Sequence, residues 1–391
     1  MKAQNKFAKL AFLVITGSLL LDLSTLALAE SDAVRALYVS AANVPTNITG
    51  IHSYAAPPKG FNPVAASDQE LATYGLPPRP DQQADPDHYA QWEQAMKAAK
   101  IRWRGELKAL PGSEHAMSPA GSSPLPQAVQ PQTGPQQTTT INASGVMVTN
   151  TQTSFSSKHS FSQIATLINV AVAQVAFGTT CSDYNTGYPT EISSAGFDGE
   201  INPENGYEFL SGVQGGVVAV GCYNYTAPYT QYWAYLGEWH NNLTVVDFGV
   251  NPGDVFYTYL EVLNSSQTYV LLEDLTLETY DVFTLSTPGI VGKAADWMVW
   301  RPGGCSGSGF AYYCPLPNTV HISFDGAATW TGGNKYYYPG SQAASTLVLN
   351  MLDDGFDQVT ETVNQGSAGY EGLHSLMFST VNCAYSGGCT P

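Results

Sequence analysis

Cysteine and histidine are the first residue types in this sequence that could do chemistry, through a thiol or an imidazole. The six cysteines form no CxxC motif and the seven histidines form no HExxH motif, so the spacing predicts neither a metal site nor any other cofactor. The cysteines are even in number and all follow residue 180, which predicts disulfides at Cys181, Cys222, Cys305, Cys314, Cys383 and Cys389. Their short separations favour Cys305–Cys314 and Cys383–Cys389, which leaves Cys181–Cys222 as the long-range pair.

Carboxylates could act as acids, as bases or as calcium ligands. A glycosidase needs two of them about 5–9.5 Å apart, and Glu273 and Glu278 are candidates by residue type only. Asp353, Asp354 and Asp357 form an acidic turn, but no EF-hand spacing follows it. Charged turns account for both groups more simply.

The first 29 residues have the pattern of a secretory signal peptide. A basic start precedes an apolar stretch from Phe12 to Leu20, and Ala27–Ala29 is a small-residue cleavage site. No later stretch reaches the roughly 18 uncharged apolar residues of a membrane span. We expect a secreted chain, extracellular or periplasmic, with no membrane partner.

Charge divides the rest of the chain into two parts. The net charge is −17, and residues 139–391 carry four basic residues against 21 acidic ones. Such an acidic chain repels phosphate, which excludes nucleic acid as a partner. Because 43% of the residues are hydrophobic and only 12% are charged, we predict a folded protein, and we expect it to be a monomer.

Residues 30–110 contain one pattern typical of an amphipathic helix, from about Pro86 to Leu110. Asp85 is the expected N-cap and Pro86 lies in the first turn. The second half of this helix is basic, which suits the acidic remainder of the chain as its partner. Residues 111–141 are rich in Pro, Gln and Thr and predict an extended, protease-accessible linker.

This order of segments predicts either a zymogen, with 30–110 as a pro-like segment, or a small accessory domain on a tether. Residues 142–391 contain short runs rich in Val, Tyr, Phe and Thr, separated by turn residues. This region therefore predicts an all-β fold, an antiparallel two-sheet β-sandwich of the lectin or glucanase type, preceded by the helical pro-like segment.

Several motifs of this region occur in the same order in one known family. The chain resembles the glutamic peptidases, or eqolisins, at Asn142–Val146, Ala195–Gly199, Val213–Val217, Glu238–Trp239, Pro252–Asp254, Ala295–Pro302 and Phe378–Thr380. The pro-like stretches Gly60–Pro63 and Tyr74–Pro80 are similar to the leader of bacterial members. The resemblance implies an acid endopeptidase that uses a Gln and a Glu, without a metal or a covalent nucleophile.

The resemblance indicates roles or positions for five residues. Gln214 matches the family Gln, whose amide NH2 stabilises an oxyanion. The family pattern Glu-Trp-Ile-x-Glu reads Asp296-Trp-Met-Val-Trp300 here, so Trp300 occupies the position expected for the base. Asp296 lies four residues away, roughly 13 Å along a strand, which is too far to replace a base at position 300. If the family base is instead the first Glu of the pattern, Asp296 is a replacement that is one methylene shorter. Asp296 and Glu238 are candidate substitute or supporting carboxylates, and Ser194 stands at or beside the position of a family Trp.

Two functions remain open from the sequence. The first is an acid endopeptidase acting on polypeptides, activated when low pH protonates carboxylates and releases the basic helix. The second is a catalytically inactive secreted sandwich that binds peptide or glycan in its cleft, where Trp300 would serve as an aromatic platform. A carboxylate beside Gln214 would favour the first function, and Trp300 in that place would favour the second.

Overall fold

A computed structural model describes two regions of the chain. It covers residues 33–109 and then, with gaps, 136–142, 145–151, 161–170, 173–174, 190–198, 201–202, 208–209, 212–224, 227–238, 244–292, 294–300, 318–319, 322–331, 336–337, 345–352, 358–365 and 376–382. The first region holds helix α1 over residues 33–41, a 3-10 turn at Pro63–Ala65, α2 (Asp68–Thr73) and α3 (Pro86–Ala98). Among the described residues, no helix combines the length and the apolar character needed to cross a membrane.

The remaining elements are strands. In chain order they are β1 (Val44–Pro45), β2 (Ile51–Ser53), β3 (Ile101–Arg102), β4 (Lys108–Ala109), β5 (Gln136–Asn142), β6 (Gly145–Thr151), β7 (Phe161–Asn169), β8 (Ala173–Gln174), β9 (Thr190–Phe197), β10 (Ile201–Asn202), β11 (Glu208–Phe209), β12 (Val213–Asn224), β13 (Ala227–Glu238), β14 (Thr244–Val246), β15 (Val255–Asn264), β16 (Gln267–Asp274), β17 (Thr279–Ser286), β18 (Ala294–Trp300), β19 (Asn318–Thr319), β20 (Ile322–Thr331), β21 (Tyr336–Tyr337), β22 (Ser345–Leu352), β23 (Gln358–Gln365) and β24 (Leu376–Asn382).

Most of these strands form two packed layers, as the sequence predicts. The first sheet has the order β23-β24-β20-β7-β15-β16-β17, and β2 and β3 pair with β17 at its edge. The second has the order β5-β22-β6-β18-β9-β12-β13-β14-β4. Strand pairing is antiparallel except for β3 with β17 and β5 with β22. The all-β sandwich is confirmed.

Alternate residues of both sheets build the core between the layers. Phe256 and Leu260 of β15 face inward from the first sheet, and Val213 and Trp297 face inward from the second; all four have no exposed surface. Side chains alternate across a strand, so the residues beside these point outward. The second sheet thereby turns Gln214 and Asp296 to its outer face.

Residues 33–103 cover the outer face of the first sheet. Trp92 and Met96 of α3 and Leu71 of α2 join a second buried cluster with Tyr257 and Tyr269 of the sheet. Trp92 is 1% exposed and Leu71 is 0% exposed. The segment predicted as pro-like therefore lies on the sheet that does not carry Gln214.

The predicted helix 86–110 begins where the sequence indicates but ends earlier. Asp85 caps α3 by accepting a hydrogen bond from the His88 amide at 3.1 Å. After Ala98 the chain leaves the helix, and Ile101 donates from its backbone to the Glu278 carbonyl at 2.9 Å. The prediction of a helix to residue 110 is wrong, because β3 and β4 use the open edges of the two sheets as hydrogen-bond partners.

The predicted linker 111–141 is also shorter at its C-terminal end. Residues 136–142 form β5, which runs parallel to β22 at the edge of the second sheet. The Thr-rich end of the stretch suits this role, because β-branched side chains fit a pleated sheet.

Basic residues of the leading segment, residues 33–109, pair with acidic residues of the sandwich. Arg102 Nε lies 3.0 Å from Asp281 Oδ1, and both side chains are 6% exposed. More exposed pairs join Lys108 to Asp247 at 3.0 Å and Lys100 to Glu278. Arg35 of α1 lies 3.1 Å from Glu261. Basic residues of the leading segment thus neutralise part of the acidic charge of the sandwich within the same chain.

The pH response of the contact between the leading segment and the sandwich does not depend on carboxylate protonation alone. Burial raises the pKa of Asp281 to about 6 against the opposing effect of Arg102, so its protonation in acid favours the docked state. His88 acts in the opposite direction. It stacks on Trp330 with ring centroids 3.8 Å apart, and burial lowers its pKa to about 3. Acid therefore weakens the docking of α3 through His88.

Cleavage between residues 111 and 135 should leave two fragments that stay bound. The buried cluster under α3, the edge strands β3 and β4 and the ion pairs all join the leading segment to the sandwich. An inserted specific protease site in this stretch, followed by size-exclusion chromatography at pH 7, should give one peak that separates into two chains only in denaturant. Separate elution at pH 7 would contradict the structure.

Replacing His88 with Phe should reduce the loss of stability in acid. A base whose folded-state pKa is lowered contributes stability that is fully present above its ordinary pKa of about 6.5 and is lost as the pH falls towards 3. Urea unfolding at pH 7 and pH 4 should show an acid loss smaller in His88→Phe than in the native chain, by on the order of 3 kcal/mol. The control is His52→Phe, at an exposed histidine, which should respond to acid like the native chain.

Candidate functional site

Gln214 and Asp296 lie in one row across the second sheet. Gln214 of β12 is the register partner of Gly196 in β9, and Gly196 is also the partner of Asp296 in β18. Both side chains leave the sheet on its outer face, because their neighbours Val213 and Trp297 belong to the core. Gln214 and Asp296 are 82 positions apart in sequence, but in the sheet only Gly196 lies between them.

The absent side chain at Gly196 allows β12 and the Gln214 side chain to approach β9 closely. A Cβ built on Gly196 would lie 2.8 Å from Gln214 Cγ, so the glutamine side chain leans over β9 towards β18. Strands two apart are separated by about 10 Å. Gln214 and Asp296 thus lie on either side of this interval, with only the glycine position between them.

The carboxamide of Gln214 is held by two hydroxyl groups. Its Oε1 accepts hydrogen bonds from Tyr235 Oη at 2.6 Å and from Ser194 Oγ at 3.0 Å. Burial raises the pKa of Tyr235 well above its ordinary value, so this phenol keeps its proton and acts as a donor. With the oxygen engaged, the NH2 group is the end of the amide that remains for a ligand.

Asp198 fixes the start of β18 relative to β9. Its Oδ2 accepts from the backbone amides of Val291 at 2.6 Å and Gly292 at 2.8 Å, and its Oδ1 accepts from Ala294 at 3.1 Å. Its own amide donates to the Ala294 carbonyl at 3.1 Å. Since Ala294 is two residues before Asp296 and Asp198 is two after Gly196, this contact sets the register of the row.

The other predicted site residues lie outside this row. Trp300 is the register partner of Ile192, so it is four residues along the sheet from the row of Gln214, roughly 13 Å. Glu238 is the partner of Val213, one residue out of the row. Of the carboxylates named from the sequence, the structure brings Asp296 into the row of Gln214, whereas the position matched to the family base is distant from it.

The site is closed to solvent. Gln214 is 3% exposed, Tyr235 is 1% exposed, and Ser194 and Asp296 are 0% exposed. The low-dielectric surroundings strengthen the hydrogen bonds that fix the amide.

The carboxylates considered for a glycosidase do not meet. Glu273 is 0% exposed beneath the leading segment, and within the described residues neither of its oxygens has a hydrogen-bond partner. Burial raises the pKa of Glu273 well above its ordinary range, with the Asp274 charge adding to the effect. Glu278 is partly exposed and pairs with Lys100. The two residues therefore do not form an acid-base pair.

Among the described residues, no group of three or more His, Cys, Asp or Glu side chains could hold a metal ion. The acidic turn at 353–357 lies outside the described residues. The predicted disulfides lie outside them too, apart from the backbone of Cys222 in β12.

Comparison with known proteins gives structural neighbours only. No protein-family model matches the chain, and no curated protein matches its sequence. Scytalido-glutamic peptidase with a transition-state analogue inhibitor is similar at a TM-score of 0.44 and 13% identity, over 61% of this chain and 98% of that one. SCP-B, a member of the eqolisin family in complex with the tripeptide Ala-Ile-His, gives 0.42 and 13% over 61% and 98%.

Aspergilloglutamic peptidase from Aspergillus niger is also similar, at a TM-score of 0.38 and 22% identity over 49% of this chain and 99% of that one. Scores and identities at this level do not establish that the chain belongs to the family.

Sequence reasoning missed the contacts that organise the site. The motifs name Ser194, Asp198 and Gly196, but nothing local indicates that Ser194 donates to Gln214 or that Asp198 accepts from three backbone amides just before and at the start of β18. The one available signal is the pair of glycines, Gly196 and Gly216, in otherwise strand-like sequence, since a glycine inside a strand indicates close approach of a neighbouring group.

Asp198→Asn should destabilise the chain by about 1–3 kcal/mol, because one amide oxygen cannot replace a carboxylate that accepts from three backbone amides. Asn tolerates the left-handed backbone of Asp198, at φ 56°, so the variant isolates the hydrogen bonds. Urea unfolding measures the effect. The control is Asp247→Asn, which removes an exposed ion pair with Lys108 and should cost under about 1 kcal/mol. Equal losses in the two variants would refute the role of Asp198.

Proposed function

We propose that this chain is a secreted acid endopeptidase of the glutamic-peptidase type, in which Asp296 serves as the base. The observation that carries the proposal is the row Gln214, Gly196, Asp296. The row supplies a neutral donor and a carboxylate on one face, with a side-chain-free position between them.

The chemistry needs only these two groups and water. Asp296 takes a proton from a water molecule, whose oxygen attacks the peptide carbonyl carbon. The NH2 group of Gln214 donates to the oxyanion that forms. The proton then passes to the leaving nitrogen as the C–N bond breaks, giving a carboxylic acid and an amine.

Burial of the row adds a requirement. Asp296 and Gln214 are at most 3% exposed, so both side chains have to become accessible before a substrate meets them. We expect an unfolded polypeptide to be a better substrate than a folded one, because an extended chain can follow the strands of an opened face.

The decisive test is proteolysis of an unfolded protein substrate across pH 2–7 by the full chain. Asp296→Asn should lower kcat/KM by about 10²–10⁴-fold. Gln214→Ala should lower it by about 10²–10³-fold. Matched controls at exposed positions, Asp87→Asn and Gln69→Ala, should retain full activity.

The Trp300→Glu variant distinguishes the proposed peptidase from the alternative, a catalytically inactive sandwich. If Asp296 is the base, this variant should gain nothing. An inactive native chain that becomes an acid peptidase on Trp300→Glu would overturn the proposal and identify a catalytically inactive sandwich that has lost its base at position 300. Acid activity unaffected by Asp296→Asn would also overturn it.

A further inference from the structure

The Gln214 carboxamide has two ends with opposite chemistry. Its oxygen only accepts hydrogen bonds and its NH2 group only donates them. Rotation by half a turn would present the oxygen to Asp296, and the pair would then repel rather than hold a carbonyl oxygen. The role proposed for Gln214 therefore depends on what fixes its orientation.

Two hydroxyl groups face one end of this amide. Tyr235 Oη and Ser194 Oγ lie 2.6 Å and 3.0 Å from Oε1. They come from β13 and β9, the strands on either side of β12. All three side chains are at most 3% exposed, so water does not compete for these hydrogen bonds.

Gly216 allows the two hydroxyl groups to meet. It is the register partner of both Tyr235 and Ser194, so the Tyr235 ring can cross β12 only because this position has no side chain. A Cβ on Gly216 would lie 2.0 Å from the Ser193 carbonyl oxygen, which shows how closely β9 approaches there.

Resting on the function proposed above, we propose that Ser194 and Tyr235 are positioning residues that lock the Gln214 carboxamide with its NH2 group towards Asp296. Tyr235 stays protonated and can donate throughout the acid range. Ser194 donates from the opposite strand. Together they occupy the acceptor end of the amide, which leaves the donor end over Gly196.

Kinetics on the full chain test this role. Tyr235→Phe and Ser194→Ala should each lower kcat by about 3–10-fold, the equivalent of one hydrogen bond, with KM within about twofold. The two changes together should lower kcat by more than either alone. Ser194→Thr, which restores the hydroxyl, should recover most of the loss. Unchanged kcat in both single variants would overturn the proposal.

Tyr257→Phe is the matched control for Tyr235→Phe. Tyr257 is fully buried on the first sheet, and its hydroxyl has no hydrogen-bond partner among the described residues. The same chemical change there should leave kcat unaltered. A loss of kcat equal to that of Tyr235→Phe would assign the effect to general loosening of the sandwich.

An NMR measurement separates this inference from the function itself. In the 15N-glutamine-labelled full chain, the NH2 signals of Gln214 are assigned by their loss in Gln214→Ala. They should show nuclear Overhauser contacts to the Asp296 Cβ protons and none to the Tyr235 ring. Contacts to the Tyr235 ring would overturn the orientation even in an active enzyme. The expected contacts in an inactive chain would support the orientation and refute only the peptidase.

Discussion

The close approach of β9 to β12 at Gly196 is the constraint on which the site depends. A side chain at this position would place its Cβ 2.2 Å from the Val213 carbonyl oxygen and 2.8 Å from Gln214 Cγ. Because none is present, β9 can pair fully with β12 on one side and β18 on the other, and Gln214 can lean into the interval. The glycine thereby places Gln214 and Asp296 in one row, with no side chain between them.

In the described part of the second sheet, Gln214 and the start of β18 are fixed by hydrogen bonds from neutral donors. Asp198 binds backbone amides at the start of β18, while Ser194 and Tyr235 bind the Gln214 oxygen. Neutral donors keep their strength in acid, where ion pairs of carboxylates are lost. The two hydrogen bonds that hold the Gln214 amide therefore do not depend on the charge of a carboxylate, whereas the contacts at the start of β18 use the Asp198 carboxylate as the acceptor.

The leading segment has the sequence pattern of a removable pro-segment, yet it is packed into the folded body of the chain. Trp92 and Leu71 are as deeply buried as any residue of the sandwich core, and β3 and β4 extend opposite sheets. The segment covers the first sheet rather than the face of Gln214, so any inhibition by it would have to act through the packing of the two layers. His88 and Asp281 respond to acid in opposite directions, so the docking does not follow from net charge alone.

The sequence by itself determined the elements whose causes are local. Alternation and turn residues predicted the β-sandwich, Asp85 and Pro86 predicted the start of α3, and the motifs named Gln214 and Asp296 as candidates. The tertiary structure alone decided where α3 ends, because the open edge of β17 is remote in sequence. It also decided that Asp296, not position 300, shares the row of Gln214. Register between strands depends on contacts across the whole sheet, and a residue's distance along one strand carries no information about its neighbour on the next.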